Sequence, residues 1–335
     1  MKRVLVIGGG SIGERHVRCF SRTGRCETAL CEVNAELRQA VAERYSLPQS
    51  FATLEEAIGH NFDAAVICTP AHLHVPMAKQ LADAGVALLI EKPLSISREG
   101  VEELQTLIAS RNVPVAVAYV MRQHPALAAM RTAILEERFG NPVQVVYVGG
   151  QHFPFYRPAY RQIYYTRHET GGGAIQDALT HMVNAAEWLV GPISRLTADA
   201  QHCVLDGVDV EDTAHLMTRH RPTSGSSAEV LGSFSLNQHQ AVNESSLTVV
   251  CDRGVARFET HGCRWLSCTQ PDSPWTVEQS FALERDDLFV RQAAAFLDFL
   301  DGRCPPSCSL SEADQTLKVN LAALQSVHDG KWVTL

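Results

Sequence analysis

Residues 4–13 run Val4-Leu5-Val6-Ile7-Gly8-Gly9-Gly10-Ser11-Ile12-Gly13. Four apolar residues without polar alternation suit a strand buried on both faces. The glycines behind it fit the spacing Gly-x-Gly-x-x-Gly at Gly8, Gly10 and Gly13, after a strand and before a helical pattern. In a dinucleotide-binding turn Gly8 permits the tight bend, Gly10 lets backbone approach a pyrophosphate, and Gly13 lets the helix pack on the sheet. The free amides of the first helical turn, at Ser11 and Ile12, then face the phosphates.

Outward from this stretch the same alternation continues. Apolar runs recur at 28–31, 64–68, 86–90 and 113–118, separated by helical spacing at 35–44, 75–84 and 98–111. Thr53-Leu54-Glu55-Glu56 reads as a capping box opening another short helix. Strand–helix alternation predicts βαβ units, hence an N-terminal α/β Rossmann domain, a doubly wound parallel sheet, over 1–122. The pattern changes after Pro125. A helix over 125–137 and a strand over 143–148 precede an irregular stretch over 152–173 and a helix around 177–189. Strand runs without long helices follow at 213–218, 228–236, 246–251, 255–259 and 264–267. Helical spacing returns over 288–300 and 311–327. The expected second domain, 123–335, is α+β with an open, mostly antiparallel sheet. The weakest stretch, Arg221–Ser227, reads as an exposed hairpin tip.

The chain has 335 residues, 45% of them apolar and 20% charged, enough for two cored domains. A formal net charge of -8 argues against nucleic acid. No apolar run approaches the roughly 20 residues a bilayer span needs. The reading is a soluble, cytoplasmic protein with no membrane partner. The ten cysteines are scattered, without a C-x-x-C pair or zinc spacing, and read as reduced structural thiols with no metal.

Candidate chemistry sits at the ends of the predicted parallel strands. Glu32 ends the second strand, where a carboxylate accepts from both ribose hydroxyls and repels a 2′-phosphate; this favours NAD, with NADP less favoured, although Arg15 and Arg38 are placed to meet a phosphate. Thr69-Pro70 ends a later strand, at the edge where open α/β sheets bind ligands, and His72 and His74 follow as helix-start or packing histidines. Glu91-Lys92-Pro93 ends the next. A residue before proline is pushed to extended backbone, and Lys92–Pro93 is a candidate cis peptide. A cation there can bind a substrate hydroxyl and lower its pKa for hydride removal. Further on, Gly171-Gly172-Gly173 leads into a helix carrying Asp177 and His181, four apart and on one face. His181 suits a general base and Asp177 an orienting or hydroxyl-binding role; the alternative is a surface ion pair. The stretch 152–168 holds Phe153, Phe155, Tyr156, Tyr160, Tyr164 and Tyr165 with Arg157, Arg161 and Arg167. It reads either as a selectivity loop, in which Tyr156 and Arg161 contact substrate, or as an arm against a neighbouring subunit.

These motifs together resemble the Gfo/Idh/MocA oxidoreductases. The match rests on Gly8–Gly13, Thr69-Pro70 with His74, Ala84-Gly85 ahead of Glu91-Lys92-Pro93, the stretch 119–125 ending in Arg122-Gln123-His124-Pro125, and Gly171–His181. The resemblance implies a nicotinamide cofactor held by Gly8, Gly10, Ser11, Ile12, Gly13, Glu32, Thr69, Pro70, His74, Glu91 and Lys92. It implies Lys92 as the catalytic lysine, His181 as the proton acceptor and Asp177 as the acid residue of that motif, with Tyr119 and Arg122 on the substrate side. The implied reaction oxidises a secondary hydroxyl of a sugar, polyol or sugar acid. The implied assembly is a homodimer or homotetramer through the open sheet. Two departures stand out: Ala71 where many members carry Asn, and Leu179 where many carry Gly. An NAD-dependent glycosidase working by oxidation and elimination, and a non-catalytic NAD-sensing regulator, are the alternative readings.

Overall fold

The computed structural model describes residues 1–221 and 228–335. Beyond Arg221, the expected hairpin tip lies outside the described residues. In chain order the first elements are β1 (Lys2–Ile7), α1 (Ser11–Arg22), β2 (Cys26–Cys31), α2 (Ala35–Arg44), β3 (Ser50–Phe51), α3 (Leu54–Ile58), β4 (Ala64–Ile67), α4 (His74–Asp83), β5 (Ala87–Ile90), α5 (Val101–Arg111) and β6 (Val115–Val117). Then come α6 (Pro125–Leu135), β7 (Pro142–His152), α7 (Phe153–Tyr156), a π-helical segment (Ala174–Leu179), α8 (Thr180–Val190), β8 (Ile193–Gln201), β9 (Thr213–His220), β10 (Val230–Asn237), β11 (His239–Cys251), β12 (Gly254–Glu259), β13 (Arg264–Cys268) and β14 (Thr276–Ser280). The chain closes with α9 (Asp287–Leu300), α10 (Leu310–Asp329) and β15 (Val333–Thr334). Among the described residues no helix is long and apolar enough to cross a membrane, and no group of three or more His, Cys, Asp or Glu is placed to hold a metal ion.

β1 to β6 form one parallel sheet in the order β3-β2-β1-β4-β5-β6, the doubly wound arrangement. Its order reverses between β1 and β4, which fixes the crevice for a ligand at their carboxyl ends. Val4, Val6, Leu30, Val66 and Leu89 fill the core with Val17 and Phe20 of α1. Thr53 caps α3 by accepting from the Glu56 amide, and Glu56 reaches back to the Ala52 amide, one residue before the Thr53 amide of the strict capping box.

The second sheet has nine strands in the order β14-β13-β12-β11-β7-β10-β9-β8-β15. All neighbours are antiparallel except β7 and β10. Inward residues such as Val145, Tyr147, Leu216, Phe234, Leu247 and Phe258 alternate with outward ones, the period-2 signature of a half-covered sheet.

The chain divides into two units, Met1–Gln123 with Glu284–Asp314, and His124–Leu283 with Gln315–Leu335. A single boundary after residue 122 therefore assigns Glu284–Asp314 differently from the contacts. The reason is side-chain chemistry on α1. Asp286 accepts from Arg18 at 2.6 and 3.0 Å, Phe289 meets the His16 ring edge-on at 5.7 Å, and Phe296 meets Phe20 at 6.2 Å. Helix α9 thereby completes the first core.

Candidate active site

Within the first unit the glycine turn is shaped by close backbone contact. Gly8 sits at φ +97°, and a Cβ there would lie 2.9 Å from the Cys68 carbonyl oxygen. A Cβ on Gly13 would fall 1.8 Å from the Gly8 carbonyl oxygen, so α1 starts where only glycine fits. Gly10, the residue capping α1, has open space around the same position, the clearance a pyrophosphate needs. Glu32, at the end of β2, is held at both oxygens: one accepts the Gly9 amide at 2.6 Å and the other the Asn34 amide at 2.8 Å. Arg38 donates to the Glu32 carbonyl at 2.6 Å, while Arg15 pairs with Asp286 at 3.4 Å and stacks on Phe289. Turn and carboxylate thus fit a dinucleotide.

The register aligns the carboxyl ends of three strands. Ile7 pairs with Ile67, and Ile67 with Ile90. Gly8 and Glu91 are therefore two strand spacings apart on one edge, about 10 Å. Glu91 is buried; His16 of α1 meets one oxygen at 2.7 Å and the Lys92 amide donates to the other at 3.0 Å. Burial raises the Glu91 carboxyl, but His16 and Lys92 outweigh it and leave it below its ordinary value. The Lys92–Pro93 bond is cis. His74, only 1% exposed, sets Nε2 at 2.8 Å from the Thr69 carbonyl oxygen and Nδ1 at 2.9 Å from that of Pro93. It links the ends of β4 and β5.

In the second unit the turn Gly171–Gly173 enters a π-helical segment, where the sequence spacing predicts an α-helix. Asp177 lies in that segment and His181 in α8. The wider turn still leaves residues four apart near one face, and such π turns recur at functional sites. Both side chains are partly exposed. Tyr164 donates to Asp177 Oδ1 at 2.7 Å. Glu211 is buried beneath the turn: its carbonyl accepts the Ala174 amide at 2.9 Å, one carboxylate oxygen accepts the Ile175 amide at 2.8 Å, and the other meets His168 Nε2 at 2.6 Å. Its hydrogen bond holds His168 above the usual imidazole range, against the desolvation.

Several expected contact residues are buried among protein neighbours. Tyr119 is 1% exposed. The buried Arg122 guanidinium donates to Glu312 at 2.6 Å and to the Ser307 carbonyl at 3.0 Å, within its own unit. Glu91 and His74, expected at the cofactor, engage protein atoms as above. Arg161 donates to the Asp206 carbonyl at 2.9 Å and lies over the Tyr160 ring. Tyr156 is exposed beside Phe155, while Phe153, Tyr160 and Tyr165 form a small core with Leu205, Val208 and Val210. Three of the six aromatic residues of the 152–168 stretch are therefore packed inward. Glu211 escapes the sequence reading. The available signal is an acidic pair, Glu211-Asp212, between the apolar Val208 and Val210 and the strand β9: charge in such a place needs a buried partner.

A doubly wound sheet with a dinucleotide-type glycine turn, followed in the chain by an open, mostly antiparallel sheet, is a two-domain architecture of the nucleotide-binding class. The chain belongs to the Gfo/Idh/MocA oxidoreductase family: residues 2–119 match its NAD-binding Rossmann-fold model and residues 127–257 its C-terminal domain model. The chain is 25% identical to a 1,5-anhydro-D-fructose reductase of Ensifer adhaerens, over 99% of this chain and 98% of that one. It is 25% identical to an inositol 2-dehydrogenase of Rhizobium meliloti, over 82% and 77%. Among solved structures, a levoglucosan dehydrogenase in complex with NADH and levoglucosan superposes with TM-score 0.88 at 21% identity, covering 99% of both chains.

Proposed function

We propose that the protein is an NAD-dependent dehydrogenase of a sugar, polyol or sugar acid, with Lys92 and His181 handling the substrate proton. The observation that carries this is the placing of Lys92 on the same sheet edge as the glycine turn, two strands away. The relatives' names point to carbohydrate and polyol hydroxyls. The bound nicotinamide would supply the hydride acceptor. Gly8, Gly10, Gly13 and the amides of Ser11 and Ile12 would hold its phosphates, Glu32 the adenosine ribose, and Thr69 and Pro70 would line the edge between. Glu32 favours NAD, since its carboxylate repels a 2′-phosphate. Lys92 would bind the reacting hydroxyl and favour its alkoxide form. His181 would accept the proton and Asp177 would orient it or hold a second hydroxyl. Tyr156, from the exposed part of the arm, would meet the sugar.

The test is NADH formation at 340 nm over a panel of sugars, polyols and sugar acids, with NADP+ in parallel wells. Lys92→Ala is expected to lower turnover about 10²- to 10⁴-fold while NADH binding persists. Turnover equal to wild type would remove Lys92 from the chemistry. Cleavage of a glycoside without net NADH would replace the dehydrogenase with the oxidation–elimination glycosidase.

A further inference from the structure

We propose that Glu211 and His168 form a positioning pair that holds the π-helical segment so that Asp177 and His181 keep their working arrangement. This rests on the roles proposed for Asp177 and His181. The first amides of any helix have no acceptor within it, and leaving one buried and unsatisfied is destabilising. Here Glu211, 36 positions away in sequence from Ile175, satisfies two of them: its main-chain carbonyl accepts the Ala174 amide and its carboxylate the Ile175 amide. The fit has no slack: a Cβ on Gly173 would lie 2.6 Å from the Glu211 carboxylate, and one on Gly172 would lie 2.1 Å from the Tyr165 carbonyl oxygen. The turn is walled by Glu211 on one side and by the arm on the other.

The arm meets Glu211 at one point and the segment at two. His168 contacts the second Glu211 oxygen at 2.6 Å, Gln176 Nε2 donates to the His168 carbonyl at 3.3 Å, and Tyr164 donates to Asp177 at 2.7 Å. A π turn contains one residue more than the α register it interrupts. If the anchor is released and the segment relaxes to α geometry, Asp177 rotates by about one residue, about 100°, relative to α8. Glu211 thus acts on the reaction through the register of the helix that carries it, without touching substrate.

The experiment uses the full chain with NAD+ and the substrates the panel identifies, comparing Glu211→Ala, Glu211→Gln, His168→Ala and His181→Ala. Glu211→Ala is expected to lower kcat about 10- to 100-fold, to leave NADH affinity within about twofold, and to speed hydrogen exchange of amides 174–177 about tenfold or more. Glu211→Gln keeps an oxygen for the Ile175 amide and is expected to recover most of kcat. Wild-type kcat in Glu211→Ala overturns the pair, as does a Gln variant equally slow and equally early to melt, which marks a general folding defect. If Glu211→Ala fails to fold, His168→Ala, at a half-exposed side chain, decides: about fivefold lower kcat supports the pair, and wild-type kcat overturns it. His181→Ala separates the two layers. Full activity there overturns the assignment of His181 and the pair with it. Lost activity there with an intact Glu211→Ala overturns only the pair. A panel on which the wild type turns nothing over counts against both.

Discussion

Glu32 shows how a single side chain encodes a preference. Its two oxygens sit on the Gly9 and Asn34 amides, so the carboxylate is fixed beside the glycine turn. Arg38 already reaches the Glu32 carbonyl and is the nearby cation for a phosphate. Glu32→Ala is expected to weaken NADH binding about tenfold and to raise relative NADPH affinity, as lost charged hydrogen bonds and lost repulsion require. Fluorescence titration with both cofactors checks this; an unchanged ratio would remove Glu32 from the discrimination. Glu32 was readable from position alone, because the fingerprint fixes where the second strand must end. Glu91 was readable as a motif but not as a partner of His16, which lies 75 positions away.

At the scale of elements, burial governs response to acid. His220 closes β9 with Nδ1 donating to the Gly191 carbonyl at 2.8 Å and Nε2 facing the Thr218 hydroxyl at 2.9 Å. This satisfies the neutral ring, and burial pushes its pKa down to about 4. An unfolded histidine titrates near 6.5, so between that value and about 4 the unfolded chain binds the extra proton. The contribution is complete above the unfolded value and is lost as pH falls toward 4. At about 1.4 kcal/mol per unit it amounts to roughly 3 kcal/mol. His220→Asn is expected to flatten that part of the stability curve, measured as urea midpoints between pH 7 and 4. Equal slopes in both proteins would exclude His220 as the source. Most elements were legible from periodicity: α2 spans the predicted 35–44. The π segment was not: its first amides are bonded to Glu211, 36 positions from Ile175, and no local spacing records that partner.

For the molecule as a whole, the open sheet is the feature with a consequence. Helices α6 and α8 pack against one face. The other exposes Val148, Leu231 and Met217, which lie on the neighbouring strands β7, β10 and β9. Exposed apolar residues grouped on one face suit a self-complementary contact between copies, and we propose a homodimer or homotetramer through it. Light scattering is expected to show a multiple of the chain mass, and Met217→Lys with Leu231→Glu to lower it. A monomeric wild type would dismiss the contact.

What the sequence determined by itself is the local grammar: the glycine turn, the strand–helix alternation, the parallel sheet they imply, and the candidate residues at its edge. Those follow from steric limits and hydrophobic period, which act over a few residues. The tertiary structure alone decided that Glu284–Asp314 completes the first core, that Arg122 and Tyr119 are buried, and that Glu211 and His168 meet at the turn before Asp177. Such pairings join positions far apart in the chain. They are set by which buried charges and amides must find partners once the chain is packed, and no local spacing records that.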